Sequence, residues 1–310
     1  MAIAIFRFLG SALLSGFVAL VVGGISPVQA KVTGISISPP FQEMTVDATA
    51  GNSSIPLSLT NTTSAEMSVT LSTINFGSLD QTGGVLLQGQ NITSLQEKYG
   101  LAPWLILGQH TLVLAPHTTL PVQLSLRNDT SLAPGGHYGA VLASVSASSF
   151  GSRVGVNERL LSLLFIKKTG GEVYAMTLKT LQTRYSWWGD ATQTSLTFHN
   201  DGNVHVIPRG TISVYDSLGR LAKRGIINDE SGIILPASER LLHISLATLG
   251  VPLWPGYYRL VAAYRYDGSD QAHTMEESHF VLGLFTPILL LSLSLLSAWM
   301  IRLKRHYHKA

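Results

Sequence analysis

The segment Ile55-Pro-Leu-Ser-Leu-Thr-Asn-Thr-Thr-Ser64 decides the fold class, because its pattern recurs along most of the chain. Up to Thr60, apolar residues alternate with small polar ones, which is typical of a strand with one face in the core and one in water. The four residues that follow have the composition of a turn. The alternation then resumes at Met67 and Val69. This local pattern predicts β-strands joined by turns.

Short stretches of the same kind fill residues 31–279, and none shows a sustained helical apolar period. Residues 76–100 are rich in Gly, Gln, Ser and Asn and are predicted to be irregular. Turn signals at intervals of about 8–12 residues are typical of β-sandwiches, so the chain is predicted to be all-β. The later predicted strands are Leu112–Leu114, Leu120–Leu126, Tyr138–Val145, Arg153–Lys167, Val173–Leu181, Thr194–Phe198, Val204–Val214, Leu241–Leu246, Tyr257–Tyr266 and Met275–His279.

The chain also divides into two halves that repeat each other, joined by a Gly-rich linker at residues 169–171. We therefore predict two tandem Ig-like β-sandwiches, at residues 31–168 and 172–279. We expect Tyr138 and Tyr258 to anchor the strands they begin, each in a tyrosine-corner role. The repeated landmarks are Leu57–Ser64 with Ser195–Asn203, Leu114-Ala-Pro116 with Leu235-Pro236, and Pro134-Gly-Gly-His-Tyr138 with Pro255-Gly-Tyr-Tyr258.

The N-terminal 30 residues have the pattern of a signal peptide. One basic residue, Arg7, precedes an apolar run that ends in the small residues Val28 and Ala30. This pattern predicts cleavage after Ala30, with an uncleaved N-terminal anchor as the alternative. In either case residues 31–279 are predicted to be exported.

The C-terminal end predicts a membrane anchor. Residues 280–301 carry no charged side chain, and a helix of that length matches the hydrocarbon core of a bilayer. The basic tail at residues 302–310 marks the cytoplasmic side. These signals predict a single-pass type I protein of the plasma membrane, with its domains outside the cytoplasm.

Charge and cysteine content exclude several classes of function. Residues 31–279 contain 18 acidic and 16 Lys or Arg residues, which gives a net charge of 16 − 18 = −2. They carry no basic patch of the kind that nucleic acid requires, so that partner is excluded. The chain has no cysteine, which excludes disulfides and thiolate chemistry. An exported protein without disulfides fits a bacterial envelope better than an animal cell surface.

The landmarks resemble a pattern found in bacterial envelope proteins. The first half contains Ser38-Pro-Pro40, Leu59-Thr-Asn-Thr-Thr63, Leu114-Ala-Pro116 and Pro134–Val141, and the second contains Phe198–His205, Pro208-Arg-Gly210 and Asp216–Gly219. This set is similar to the DUF916-type, WxL-interacting group of membrane-anchored proteins with two Ig-like domains. The resemblance covers most of residues 32–280 and implies binding to peptidoglycan or to other surface proteins. Its motifs are strand and turn signals, so it carries no binding residues over to this chain.

No catalytic constellation is present in the sequence. It contains neither a Gly-X-Ser-X-Gly elbow nor a His-Glu-X-X-His motif, so a non-enzymatic protein without a cofactor is predicted. The segment His199-Asn-Asp-Gly-Asn203 has oxygen ligands of the kind that calcium prefers. The same residues are also preferred in a tight turn, and a turn is the simpler interpretation.

The stretch Tyr185-Ser-Trp-Trp188 is the candidate binding site. Trp187 and Trp188 are adjacent, and neighbouring residues of a strand point to opposite faces, so one indole is expected to be exposed. Exposed aromatic faces suit sugar rings or a protein partner. The alternative is that one indole fills the core and the other shields a sheet edge.

The sequence as a whole predicts a non-enzymatic binding or scaffold protein of the bacterial cell envelope. Its partner would be a cell-surface or envelope protein, bound through loops or by strand addition to a sheet edge. The alternative is direct binding of peptidoglycan or another glycan, as a cell-wall attachment module.

Overall fold

The computed structural model describes residues 34–49, 51–87, 98–145, 158–186, 189–250, 254–283 and 285–307. The predicted signal peptide lies outside these ranges, and so do Trp187 and Trp188.

The first domain is an all-β sandwich. Two three-stranded sheets, β1-β4-β9 and β3-β10-β7, share a core with a larger sheet of order β2-β12-β11-β5-β6, in which β8 also pairs with β5. The alternation seen in the sequence places Leu59, Leu124, Leu71 and Leu164 in this one buried cluster. The strands are β1 (Ile35–Ser38), β2 (Phe41–Val46), β3 (Ser53–Ile55), β4 (Ser58–Asn61), β5 (Met67–Ser78), β6 (Val85–Leu87), β7 (Leu105–Leu107), β8 (Thr111–Leu114), β9 (Thr119–Pro121), β10 (Leu124–Leu126), β11 (Gly135–Val145) and β12 (Glu158–Lys168).

The second domain repeats this plan with a separate core. A sheet of order β13-β14-β17 packs against one of order β18-β16-β15-β19-β20, and residues such as Phe198, Ile212 and Leu260 fill the space between them. The elements are β13 (Met176–Tyr185), β14 (Ala191–Asn200), β15 (Arg209–Tyr215), β16 (Leu221–Ile227), β17 (Glu239–Ser245), β18 (Ala247–Thr248), β19 (Gly256–Arg265), β20 (His273–Val281) and the C-terminal helix α1 (Phe285–Tyr307).

A buried asparagine at the repeated landmark makes the same kind of hydrogen bonds in both domains. Asn61 Nδ2 donates to the carbonyls of Ala65 at 2.7 Å and Leu114 at 3.1 Å. In the second domain, Asn200 Nδ2 donates to Val204 at 2.8 Å and to Ile234 at 2.9 Å. In each domain the side-chain amide donates to two carbonyls from different segments and so ties the turn to the next part of the chain.

Both tyrosines are buried, as expected, but only Tyr258 makes the hydrogen bond of a tyrosine corner. Tyr258 is buried, and its hydroxyl donates to the Trp254 carbonyl, four residues upstream, at 3.1 Å. The same bond in the first domain is made by His137, whose Nε2 contacts the Ala133 carbonyl at 2.8 Å. Strands β11 and β19 both begin at a glycine with positive φ, so His137 is the counterpart of Tyr258. Tyr138 is one residue further on and points to the opposite face of its sheet.

Several strands differ from the prediction, among them β6 (Val85–Leu87), which lies in the stretch predicted to be irregular. The stretch Leu120–Leu126 forms two strands, because β9 pairs with β4 while β10 pairs with β3 and β7. Residues 204–208 do not belong to the strand predicted to end at Val214, which begins at Arg209. Strand β16 was not predicted, since Lys223 and Arg224 make it look polar.

The C-terminal segment differs from the prediction at its start. Phe280 and Val281 belong to β20, where they pair with Tyr257 and Gly256, and this pairing delays the helix until Phe285. Within the part of the chain that the structure describes, no helix is both long and apolar enough to cross a membrane. The transmembrane helix predicted at 280–301 is therefore not confirmed.

Candidate functional site

An apolar surface lies on the larger sheet of the first domain, on the face turned away from that domain's core. We call it the outer face, and it consists of Phe76, Tyr138, Ala140, Leu161, Leu163 and Phe165. These residues form a cluster separate from the sandwich core, because alternate residues of β12 point to opposite sides: Leu164 and Ile166 face the core. The apolar run of β12 thus reflects burial on both faces of one strand.

Phe165 is at the centre of the outer face. Its ring centroid lies 4.8 Å from that of Phe41, 5.2 Å from Phe76 and 5.3 Å from Tyr138. These separations and the tilted or edge-on ring planes are the favoured geometry of aromatic pairs. Phe165 is 5% exposed, whereas Phe41 at the rim is 43% exposed. The outer face therefore has a packed centre and an open margin.

The second domain covers part of the outer face through His205. The His205 ring lies edge-on to Phe165, at 5.3 Å between centroids, and its Nδ1 is 3.3 Å from the Tyr138 hydroxyl. Its Nε2 is 3.1 Å from Glu43 Oε1, a half-exposed carboxylate on β2. Burial lowers the pKa of His205, against the opposing effect of Glu43, and burial raises the pKa of Tyr138 well above its ordinary value. The neutral imidazole is thus favoured in this domain joint.

A loop of the first domain reinforces the joint from the other side. The Gln81 carbonyl accepts a hydrogen bond from the Leu241 amide at 2.7 Å, at the edge of β17. Gln81 Nε2 also donates to Glu239 Oε2 at 2.6 Å. These two bonds connect the loop of the first domain to the edge of the second domain's smaller sheet.

Between these two contacts the domains leave a cleft of about 270 Å³. Phe41, Leu163 and Val85 line it from the first domain, and Ile233 and Arg240 line it from the second. Arg240 Nη1 donates to the Ile233 carbonyl at 3.0 Å, and its buried Nε has no partner among the described residues. The cleft is lined mainly by apolar residues, and its charged lining residues are Glu239 and Arg240.

Along part of its length, the edge of β12 next to the cleft has no strand partner among the described residues. Strand β2 pairs with β12 only from Leu163 to Lys168, and no described strand pairs with Arg159–Ser162 on that side. The Leu163 amide donates to the Pro40 carbonyl at 2.9 Å. Because backbone groups alternate in direction along a strand, Leu161 and Arg159 present their N–H and C=O groups to the same open side. This edge has the backbone groups needed to accept another strand.

The predicted site at residues 185–188 is described only at Tyr185. Its hydroxyl is 3.4 Å from Glu277 Oε1, and its ring packs 4.3 Å from that of His279, so it contributes to the closure of the second domain between β13 and β20. Trp187 and Trp188 are outside the described residues, and their role stays a prediction.

The segment His199–Asn203 forms a turn, the simpler of the two interpretations of its sequence. Asn203 Oδ1 accepts from the Val173 amide at 2.7 Å, and its Nδ2 donates to Gly171 at 2.8 Å. Asp201 Oδ2 accepts from the Thr177 hydroxyl at 2.6 Å. The Asn203 carbonyl accepts from the Gly136 amide at 2.8 Å. These polar groups tie the linker and the first domain to the second.

Sequence reasoning did not find the outer face or the cleft. One signal was available: the run Leu160-Leu-Ser-Leu-Leu-Phe-Ile166 is apolar at nearly every position, whereas a strand with one wet face alternates. The partner that covers its second face, His205, is distant in the sequence and carries no periodic signal.

Comparisons with known proteins give a likeness of fold. No protein-family model and no curated protein matches the chain. A solved structure from a chaperone–tip adhesin complex of CFA/I fimbriae matches with a TM-score of 0.43 and 10% identity, over 81% of this chain and 100% of that one. The class 5 fimbriae chaperone CfaA matches with a TM-score of 0.41 and 11% identity, over 78% and 98%. The CsuC–CsuE pre-assembly complex of Acinetobacter baumannii matches with a TM-score of 0.38 and 11% identity, over 79% and 98%. At these values the likeness does not assign a partner to this chain.

Proposed function

We propose that this protein is a non-enzymatic binding protein of the bacterial envelope that takes up an extended apolar segment of a surface protein. The observation that carries the proposal is the open edge of β12 at Arg159–Ser162, which adjoins the outer face. An added strand would form main-chain hydrogen bonds with Leu161 and Arg159. Its alternate side chains would cover Leu161 and Leu163, which are only half-buried in the described structure.

The pairing of β12 with β11 favours binding at the strand edge over binding through loops. Strand β12 pairs with β11 over its whole length, from Glu158 to Lys168, so its backbone is held in place by a continuous ladder. A partner strand therefore meets a pre-formed edge and does not have to order it, which lowers the entropic cost of binding.

A photoreactive amino acid at Leu161 tests the proposal. It should crosslink to one defined envelope protein in living cells, and Leu161→Glu should weaken capture of that protein at least about tenfold, because a buried unpaired charge opposes binding. Leu218→Glu is the matched control, since Leu218 is an exposed leucine in a turn of the second domain, 74% exposed.

Sedimentation with purified cell wall distinguishes binding of a protein segment from binding of a glycan. Purified cell wall should not sediment the full-length protein. Sedimentation with wall that is insensitive to Leu161→Glu, together with no protein crosslink at position 161, would replace this function with attachment to peptidoglycan.

The location outside the cytoplasm belongs to the same proposal and is supported by the sequence signals at residues 1–30 and 280–310. Protease added to intact cells or to cells stripped of their wall should digest the two domains. Alkaline extraction of membranes then tests anchoring: a chain that leaves the membrane fraction is not held by a transmembrane helix.

A further inference from the structure

Two arginines stand side by side at one end of the second domain's larger sheet. Arg209 of β15 and Arg265 of β19 are directly opposite each other in the antiparallel register. Directly opposed residues project their side chains to the same face, with Cβ atoms roughly 5 Å apart. Like charges in this position oppose each other, so the pair is unfavourable unless an anion compensates it.

Among the described residues, the carboxylate of Asp267 neutralises Arg209 but not Arg265. Arg209 Nη1 donates to Asp267 Oδ1 at 2.8 Å. The other oxygen of Asp267 accepts from the Ile207 amide at 3.1 Å, so this carboxylate has bonds on both oxygens. The Arg265 side chain is exposed, and within the described ranges it takes part in no hydrogen bond or ion pair. One positive charge is therefore left over at the pair.

The surface around the pair is hollow. Ala263 and Ala272 are small, and the depression between them and the arginines measures about 280 Å³. Thr211 stands opposite Ala263, two residues along β15 from Arg209, so its hydroxyl points to the same face. A second hollow of about 220 Å³ adjoins both guanidinium groups on the side of Ser269. Arg209, Arg265 and Thr211 thus line a space large enough for a small oxyanion, and Asp267, which is paired with Arg209, also lines the second hollow.

We propose that Arg209, Arg265 and Thr211 form a binding site for a phosphate group. A planar guanidinium fork donates two parallel hydrogen bonds to a phosphate, which a lysine at the same place would not reproduce. The bound group would remove the repulsion between the two arginines and would accept the Thr211 hydroxyl proton. A phosphate of a lipid headgroup and a free phosphate present the same chemistry to the arginines. This site is distant in sequence from the β12 edge and does not depend on the function proposed for it.

The first experiment measures the thermal unfolding midpoint of the full-length protein in phosphate and in chloride of equal ionic strength. Phosphate should raise the midpoint of the wild type, because a ligand that binds only the folded state stabilises it. Arg265→Gln should strongly reduce the phosphate response while leaving the midpoint in chloride unchanged or higher, since it removes a like charge and no bond. Titration calorimetry with inorganic phosphate should show roughly tenfold weaker binding for this variant.

Arg259→Gln is the matched control. Arg259 is also exposed, lies on the same strand and faces the same side of the sheet, but it is paired with Glu276 at 3.5 Å. The Arg259→Gln variant changes the net charge by the same amount as Arg265→Gln and should keep the full phosphate response. An equal phosphate response in the wild type and in Arg265→Gln, or no response beyond that of chloride, would overturn the proposal.

Vesicles distinguish the two sources of the phosphate. The full-length protein is sedimented with phosphatidylglycerol vesicles and with phosphatidylcholine vesicles. A preference for phosphatidylglycerol that Arg265→Gln removes identifies a lipid headgroup. A phosphate response without that preference identifies free phosphate as the ligand.

Discussion

The larger sheets of the two domains share a topology but differ in their outward faces. Strands β11 and β19 occupy the same place in their domains, and both begin at a glycine. In the first domain the third residue after that glycine is the buried Tyr138, whereas in the second it is the exposed Arg259. The difference corresponds to what lies on each outward face. His205 and Ile233 pack against the outward face of the first domain, whereas the outward face of the second domain carries charged pairs. The two domains therefore share a fold, but the outward face of the larger sheet is apolar in the first domain and charged in the second.

The largest expected effect comes from removing the centre of the apolar surface. Phe165→Ala should lower the free energy of unfolding by about 3–5 kcal/mol, because it empties a site that Phe76, Tyr138 and His205 surround. Arg259→Ala, on the equivalent face of the second domain, should change it by less than about 0.5 kcal/mol. Urea unfolding followed by circular dichroism measures both. Equal effects would mean that the two faces are not energetically different.

The next effect is a pH dependence of the joint. Burial lowers the folded-state pKa of His205, so the folded state favours the neutral ring. The corresponding stability is fully present above the unfolded-state pKa of about 6.5 and is lost as the pH falls through the lower folded-state value. Unfolding free energies at several pH values should therefore fall less steeply on the acid side for His205→Gln than for the wild type.

The other buried histidines make the comparison with a variant necessary. Burial also lowers the pKa of His137 and His279, so the wild type has acid sensitivity from three places. The difference between the wild type and His205→Gln isolates the joint. A pH profile that is unchanged in the variant would show that protonation of His205 is not coupled to stability.

The smallest expected effect is a difference in stability between the variants Tyr258→Phe and Tyr138→Phe. Tyr258→Phe should cost about 0.5–1.5 kcal/mol, because it removes a 3.1 Å bond to the Trp254 carbonyl. Tyr138→Phe should cost less, since its contact with His205 Nδ1 is 3.3 Å long. Thermal unfolding of the two variants checks the order. A larger loss for Tyr138→Phe would mean that the hydroxyl, and not the ring, holds the joint.

Strand β16 shows why part of the fold was hidden from the sequence. Lys223 and Arg224 stand in the middle of it, yet Lys223 is 4% exposed. Its ammonium group donates to Asp190 at 2.7 Å and to the Ala191 carbonyl at 2.8 Å. A buried lysine needs such partners, and they come from the segment that leads into β14, more than 30 residues upstream. No local pattern could indicate that pairing.

The candidate sites show the same limit more clearly. The sequence predicted Tyr185 as a binding residue, which stays a prediction, and it placed Tyr138 in a core. It could not identify the outer face, because that surface joins β5, β11 and β12 and takes its cover from His205. The Arg209–Arg265 pair is likewise a product of strand register: the two residues are adjacent only because β15 and β19 pair as they do.

The sequence by itself determined the all-β class and the repetition of one plan in two halves. Those properties depend on alternation and turn chemistry, which act over a few residues. Tertiary structure decided which face of each sheet is covered, which edge stays open and which charges meet. In a strand a shift of one residue turns a side chain to the opposite face, so a tyrosine and a histidine that are neighbours in sequence reach different surroundings.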